Sequence, residues 1–269
     1  MSQPALLTEK DAHVLTVTIN RPEKKNAVNA EVLCGLNDAW HRLDADDELR
    51  VAILTGAGGN FCAGMDLGVI SKLTAGKPPE DEFEERIRKD MSILFNGWLK
   101  TYRPGKPVVA AVEGYALAGG TEILQGTDIR VAAESARFGV TEVQRGLFPM
   151  AGSTVRLPRQ IPYTLALEML LTGESRSAAE CREMGLIGRV VPDGTALAVA
   201  REIADRIAAN GPLAVRAILR AVRETAAMPE QEAFEQKEMA IGIPVFRSED
   251  AREGPRAFLE KRQPLFKGR

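Results

Sequence analysis

The strongest constraint on the fold is that short strand-like segments alternate with helical ones through the first two thirds of the chain. Residues 13–19 alternate apolar and polar side chains, which is typical of a half-buried strand. The following segments read in order as helix, strand, strand, helix and strand, over residues 29–43, 51–54, 108–112, 119–125 and 129–132. This alternation predicts an α/β core.

The final third of the chain has a different character. Ser177 and Glu180 have the spacing of a capping box, which predicts a short helix that ends near Gly185. Further helices are predicted over residues 195–209, over residues 212–226 and after Pro229. Because no strand is predicted beyond about residue 201, we divide the chain into an α/β core over 1–200 and a helical C-terminal region over 201–269.

Composition excludes several classes of protein. Hydrophobic residues make up 45% of the chain and charged residues 27%, which are the values of ordinary soluble globular proteins. The balance of 35 basic against 37 acidic residues gives a net charge of −2, so no cationic field would gather nucleic acid. The chain has no run of ~18 apolar residues and no cationic start leading into an apolar stretch. We therefore expect a cytoplasmic protein with neither a membrane nor nucleic acid as partner.

The rarest residues narrow the possible chemistry. The three cysteines, Cys34, Cys62 and Cys181, are far apart and odd in number, which argues against a disulfide framework or a Cys-x-x-Cys metal site. Cys62 is predicted to be a buried small residue rather than a reactive thiol. With only His13 and His41 available, acid–base chemistry is expected to fall on carboxylates and backbone groups, without a metal.

Two glycine-containing segments remain as candidate binding sites. Residues 61–67 follow a strand and a loop, and residues 114–122 lead from a strand into a helix. Small residues let a ligand approach the backbone, and the start of a helix presents unpaired N–H groups. Other glycine motifs fail: Phe61 stands where a dinucleotide fingerprint needs glycine, and the sequence has neither a P-loop nor a nucleophile elbow. Alone, each segment is more typical of a tight turn than of a binding site.

Taken together with other segments, these two turns resemble the crotonase, or enoyl-CoA hydratase/isomerase, superfamily. The resemblance covers nearly the whole chain. Its segments, in order, are Asn20-Arg21-Pro22 with Asn26-Ala27, Phe61-Cys62-Ala63-Gly64-Met65-Asp66-Leu67, Lys106 to Val112, Gly114 with Ala118-Gly119-Gly120 and Glu122, Asp128-Ile129-Arg130, Phe138-Gly139 with Glu142, and Gly254, Ala257-Phe258, Glu260-Lys261-Arg262 and Phe266.

The resemblance implies a spiral of ββα units with a C-terminal helical region that joins subunits into a trimer or a dimer of trimers. It implies acyl-CoA thioesters as substrates, so coenzyme A belongs to the substrate and no separate cofactor is expected. The backbone N–H groups of Met65 and Gly119 would form an oxyanion hole, and Glu122 and Glu142 would be the catalytic carboxyl groups. Substrate or CoA contacts are implied for Lys25, Ala27, Ala63, Asp66, Leu67, Gly68, Phe258 and Lys261, the last two from a neighbouring subunit.

The two glutamates favour hydration of a 2-enoyl-CoA within this family. Glu122 is assigned mainly to orienting and deprotonating water, and Glu142 mainly to delivering a proton to Cα, since paired carboxyl groups can divide such work. The alternative within the family is a double-bond isomerase, which commonly needs one carboxylate. An alternative of another class is a non-catalytic, RNA-binding relative, against which the charge balance argues.

Three departures from the family pattern concern the pocket. Met65 stands where many hydratases carry alanine, and its longer side chain is expected to reshape the thioester pocket. Ala118 replaces a common third glycine. Residues 144–150 are bulkier than in many relatives, and residues 69–100 are expected to line or cover the pocket. The acyl group is therefore left open among short, long, branched and polycyclic chains.

Overall fold

A computed structural model describes residues 3–269 of the chain. Its strands are β1 (Leu6–Asp11), β2 (Val14–Ile19), β3 (Val51–Gly56), β4 (Val108–Val112), β5 (Tyr115–Leu117), β6 (Ile129–Ala133), β7 (Arg137–Gly139), β8 (Arg176–Ser177) and β9 (Arg189–Val191). Its α-helices are α1 (Ala30–Ala45), α2 (Leu67–Thr74), α3 (Glu82–Lys89), α4 (Ser92–Gly97), α5 (Gly119–Leu124), α6 (Ser153–Gln160), α7 (Tyr163–Thr172), α8 (Ala178–Glu183), α9 (Ala196–Ala208), α10 (Pro212–Thr225), α11 (Glu230–Ala233), α12 (Met239–Phe246) and α13 (Glu249–Leu259). Pro22–Lys24 and Glu142–Arg145 form 3-10 helices, and Phe234–Glu238 forms a π-helix.

The large sheet has the strand order β1-β2-β3-β4-β6-β9. β1 and β2 are antiparallel, whereas the later neighbours pair in parallel. β4 is buried at every residue, and β3 is buried at every residue but its last. Because both faces of these central strands are covered, their sequences are nearly continuous apolar runs rather than alternating ones.

Successive side chains of the central strands enter two different hydrophobic clusters. Ile53 packs on the side of α9, where Ala200 and Ala204 are fully buried. Leu54 belongs, with Trp40 of α1, to the larger cluster on the other side. The large sheet is therefore the middle layer between α9 and the rest of the core.

The small sheet, in the order β5-β7-β8, brings the two glycine-containing segments together. Cys62 forms a parallel bridge with Ala116 of β5. The Cys62 N–H donates to the Tyr115 carbonyl at 2.8 Å, and the Leu117 N–H donates to the Cys62 carbonyl at 2.9 Å. The turn after Cys62 and the start of α5 after Leu117 consequently lie side by side.

The predicted α/β core with a helical C-terminal region is confirmed. Asn29 caps α1, with its side chain accepting from the Val32 N–H, and Ser177 and Glu180 form the predicted capping box. The strands β1, β5, β7, β8 and β9 were not predicted. The boundary placed at residue 200 falls inside α9, which packs against the large sheet. Within the described residues, no helix combines the length and the apolar composition needed to cross a bilayer.

A buried amide fixes the loop that precedes α1. Asn26 is fully buried, and its Oδ1 accepts from the Arg21 N–H at 2.8 Å. Its Nδ2 donates to the carbonyl oxygens of Ala57 and Asn60, at 2.8 and 2.6 Å. The neighbouring Lys25 carbonyl accepts from the Ala63 N–H at 3.0 Å, so this loop also supports the first glycine turn.

We predict that Asn26→Asp destabilises the protein by about 3 kcal/mol, because it places a buried carboxyl group against two carbonyl oxygens and removes their donor. The measurement is the free energy of unfolding in urea at neutral pH. Asn210→Asp, at an exposed position after α9, is the matched control and should leave stability nearly unchanged. Equal stability of the two variants would show that the Asn26 amide is not needed.

Candidate active site

The two turns open into a cavity of about 600 Å³. Most of the predicted site residues line it: Ala27, Ala63, Met65, Asp66, Leu67, Gly119, Glu122 and Glu142. The remaining lining is largely apolar and comes from Ile70, Leu94, Phe95, Trp98, Leu117, Ala118, Leu147, Phe148, Met150 and Ala151, with Lys24, Thr141 and Arg145 as polar members. Residues 69–100 and 144–150 thus contribute to the cavity wall as predicted.

Four predicted contact residues are not among those that line the cavity. Lys25 places its Nζ 4.5 Å from the centre of the Tyr115 ring, and its neighbour Lys24 lines the cavity instead. Gly68 comes directly after Leu67, which lines the cavity, and donates its N–H to Asp66 Oδ1. Phe258 is 83% exposed near the end of α13, and Lys261 lies two residues beyond that helix. Their predicted roles stay predictions.

The first turn places its backbone directly against the start of α5. Gly64 has a φ of +95°, a conformation that favours glycine. A Cβ built on Gly64 would lie 2.7 Å from Ala118 Cβ and 3.1 Å from the Gly119 nitrogen. The turn is held by the Val28 N–H, which donates to the Gly64 carbonyl at 2.8 Å. The two segments are therefore in direct contact, with no room for a side chain at residue 64.

The predicted oxyanion-hole donors are unpaired. Among the hydrogen bonds of residues 3–269, neither the Met65 N–H nor the Gly119 N–H has an acceptor in the chain. Both residues line the cavity, and Gly119 is the first residue of α5. Ala118, just before it, has φ +50° and ψ −126°, a strained conformation for a residue with a side chain. The residue with the strained backbone, Ala118, thus directly precedes the unpaired Gly119 N–H.

Close packing requires glycine at the start of α5. A Cβ on Gly119 would lie 2.7 Å from the ring of Trp98, which is itself buried. A Cβ on Gly120 would lie 2.2 Å from the Cys62 carbonyl oxygen. Trp98 was not identified from the sequence as a wall of the site, because no local pattern links it to residue 119.

Glu122 is held by two backbone amides. Its side chain is only 2% exposed. Oε2 accepts from the Ala151 N–H at 3.1 Å, and Oε1 accepts from the Ser153 N–H at 2.9 Å. Ser153 is the first residue of α6, and Gly152 between the two donors has a φ of +123°. Two N–H donors at the start of a helix stabilise a carboxylate.

Glu142 is in a different environment. It begins the 3-10 helix Glu142–Arg145, and its buried Oε2 has no hydrogen-bond partner within the described residues. Burial raises the pKa of Glu142 to about 8, and the negative charge of Glu122 contributes to the increase, while Arg145 opposes it. Burial and the neighbouring charge therefore both favour the protonated form of Glu142.

The sequence predicts that Cys62 is buried rather than reactive and that no metal is bound. Burial raises the pKa of the Cys62 thiol to about 12, and its Sγ accepts from the Gly64 N–H at 3.3 Å, which confirms that Cys62 is a buried residue. Across the described part of the chain, no three His, Cys, Asp or Glu side chains are grouped to hold a metal ion. The glutamate pair and the two unpaired amides lie at one cavity, together with the polar side chains of Lys24, Asp66, Thr141 and Arg145.

Comparison with known proteins identifies the class. The family described as Enoyl-CoA hydratase/isomerase matches residues 9–269, and the chain belongs to this family. Enoyl-CoA hydratase EchA19 of Mycobacterium tuberculosis is 58% identical over 268 residues, covering 100% of this chain and 98% of that protein. Carnitinyl-CoA dehydratase of Salmonella enteritidis is 37% identical, with full coverage of both chains. The crystal structure of enoyl-CoA hydratase EchA1 from Mycobacterium marinum has a TM-score of 0.88 at 45% identity and covers 99% of this chain and 100% of that one.

We predict that the Glu142 carboxyl ionises with a midpoint of about pH 8, and that Glu122→Gln lowers this midpoint, because it removes the neighbouring negative charge and leaves the burial. The measurement is a ¹³C NMR titration of protein labelled at the glutamate carboxyl carbons, with the Glu142 signal assigned by its loss in Glu142→Gln. An ordinary midpoint for Glu142 in the unmodified protein would contradict the asymmetry of the pair.

Proposed function

We propose that this protein is an enoyl-CoA hydratase, which adds water across the α,β double bond of a 2-enoyl-CoA to give a 3-hydroxyacyl-CoA. The observation that carries the proposal is the asymmetric pair at the cavity. Glu122 accepts two backbone hydrogen bonds, and burial raises the pKa of Glu142 beside it. The name of the 58% identical relative supports the same activity.

The unpaired amides suit the thioester carbonyl. Addition of water at Cβ moves negative charge onto the carbonyl oxygen of the thioester, and the Met65 and Gly119 N–H groups would donate to that oxygen. Donors that are already oriented stabilise the charge as it develops, and loss of one typically costs ~3 kcal/mol. The surrounding structure holds Ala118 in its strained conformation, and the Trp98 ring lies against Gly119, so this backbone is oriented before substrate binds.

The two carboxyl groups divide the proton transfers. The Glu122 carboxylate takes a proton from water as the oxygen bonds to Cβ, and the Glu142 carboxylic acid gives its proton to Cα. The C=C bond is lost, one C–O and one C–H bond form, and the pair ends with its proton on Glu122. Exchange with solvent then restores the starting state. A positioned acid or base of this kind contributes ~10²–10⁴ in rate.

The acyl group is expected to be apolar, because the cavity wall beyond the glutamates is built largely from apolar side chains. We also propose self-association into a trimer or a dimer of trimers, supported by exposed apolar side chains on the C-terminal helices, such as Ile218, Val222 and Phe246. Contacts of Phe258 and Lys261 with CoA from a neighbouring subunit belong to this proposal. The absence of a separate cofactor and a cytoplasmic location stay predictions.

A panel of enoyl-CoA thioesters tests the function. We predict that crotonyl-CoA or a longer analogue loses its ultraviolet enoyl-thioester absorbance on addition of the protein, with 3-hydroxyacyl-CoA as the product. Turnover should fall as the pH rises through about 8, because Glu142 must carry a proton. Glu142→Gln should nearly abolish hydration while CoA affinity remains, whereas the exposed Glu134→Gln is the matched control.

The other outcomes of that panel separate the alternatives. Movement of the double bond without a hydroxy product would support an isomerase. Absence of turnover across the panel, with retention on an RNA column at physiological salt, would support a binding protein. Unchanged hydration by Glu142→Gln would remove the proposed proton donor.

We predict that Gly119→Ala lowers kcat by about 10²–10³, because the added methyl group would meet the Trp98 ring at 2.7 Å and displace the N–H donor. The measurement is kcat for the best substrate of the panel. Gly242→Ala, in α12, is the control, since a Cβ there meets no atom within 4 Å. A Gly119→Ala enzyme as fast as the control would exclude this amide from the oxyanion hole.

A further inference from the structure

Arg156 lies in α6, one turn after Ser153, whose N–H donates to Glu122. Its Nη2 donates to the backbone carbonyls of Leu99 and Lys100, the second at 3.2 Å. A Cβ on Gly152 would lie 3.7 Å from Arg156 Cδ and Nη1. The guanidinium therefore lies beside Gly152, whose two flanking residues donate their N–H groups to Glu122.

The same guanidinium joins two walls of the site. Leu99 and Lys100 directly follow Trp98, whose ring contacts Gly119. A Cβ on Gly126 would lie 3.0 Å from Arg156 Nη1 and 2.6 Å from Leu99 Cβ, so no side chain fits at residue 126. Arg156 consequently connects the backbone that holds Glu122 with the segment that fixes the Gly119 amide.

Arg156 is also a cation that interacts electrostatically with Glu122. Burial, together with the charges of Arg103 and Arg223, lowers the pKa of Arg156 to about 10, whereas the charge of Glu122 opposes this decrease. Arg156 therefore remains charged at neutral pH. Its buried Nη1 has no hydrogen-bond partner in the described part of the chain.

Other charged side chains surround Arg156 and the glutamate pair. Arg103 and Arg223 are paired with Asp128, at 3.2 and 2.8 Å. Arg145 is exposed, and its positive charge partly opposes the increase in the pKa of Glu142. The other charged residues lining the cavity are Lys24 and Asp66, and Asp66 is paired with Arg21 at 3.1 Å.

We propose that Arg156 is a positioning residue that keeps Glu122 as the ionised member of the pair and so leaves the proton on Glu142. This inference rests on the proposed hydration, in which the base must be Glu122 and the acid Glu142. Two adjacent carboxyl groups share their protons according to their surroundings. Without the positive charge behind Glu122, the proton would be divided between both groups.

The first test needs no turnover. In glutamate-labelled protein at pH 7, ¹³C NMR should show Glu142 protonated and Glu122 ionised, with assignment by Glu122→Gln and Glu142→Gln. In Arg156→Gln, part of the protonation should move to Glu122, whereas Arg156→Lys should resemble the unmodified protein. The proposal would be overturned if both glutamates of Arg156→Gln titrated as they do in the unmodified protein. If the Gln variant does not fold, a protonated Glu122 in Arg156→Lys would overturn it.

The second test uses kinetics. Arg156→Gln should lower kcat by about 10²-fold with little change in KM, since the reacting groups rather than the binding surface are disturbed. The acid limb of its kcat profile should move to higher pH, because an unsupported carboxylate takes up a proton earlier as pH falls. Arg156→Lys should restore the position of this limb. Arg159→Gln, exposed on the same helix, is the matched control.

The two tests separate the possible failures. Equal losses of kcat in the Gln and Lys variants, with no movement of the acid limb, would mean that Arg156 only maintains the structure. If no thioester of the panel is hydrated but the NMR result depends on the charge at residue 156, the proposed function fails while the electrostatic role of Arg156 stands.

Discussion

The site depends on the pairing of a single residue, Cys62, with the strand β5. Its N–H and carbonyl are both bonded to this strand, and this contact brings the turn at Gly64 against the first residues of α5. The close approach excludes side chains at Gly64 and Gly120 and leaves the amides of Met65 and Gly119 without partners in the described chain. Unpaired donors at a cavity normally require compensation. Here a ligand oxygen would supply it.

The chemistry depends on giving two identical side chains different surroundings. Glu122 meets the start of α6, where two amides satisfy its oxygens, and Glu142 has a buried oxygen that meets no donor among the described residues. The difference arises from the backbone of other elements rather than from the residues themselves. A carboxyl group can thus serve as acid or as base according to the groups that surround it.

Long, regular signals in the sequence were enough to predict the core. The apolar runs of β3 and β4, the cap at Asn29 and the capping box at Ser177 all correspond to observed elements. β1 was missed because it is an almost fully exposed edge strand with no apolar alternation, and the three strands of the small sheet are too short to show a period. The glutamates were found through the family resemblance. The sequence did not reveal the amides of Ala151 and Ser153 or the ring of Trp98. These groups reach the site only through tertiary folding, so no local sequence pattern marks them.

The packing of α9 against the large sheet decides how this chain can be divided. A chain shortened at residue 200 would lose more than half of that helix and expose Ile53 and its neighbours on β4 and β6 to water. Such an open apolar face would be prone to aggregation. The first position at which the chain can be divided without removing part of α9 from the sheet is Gly211. There α9 has ended, and Pro212 begins the next helix. Any dissection of the molecule into folding and assembling parts has to begin there.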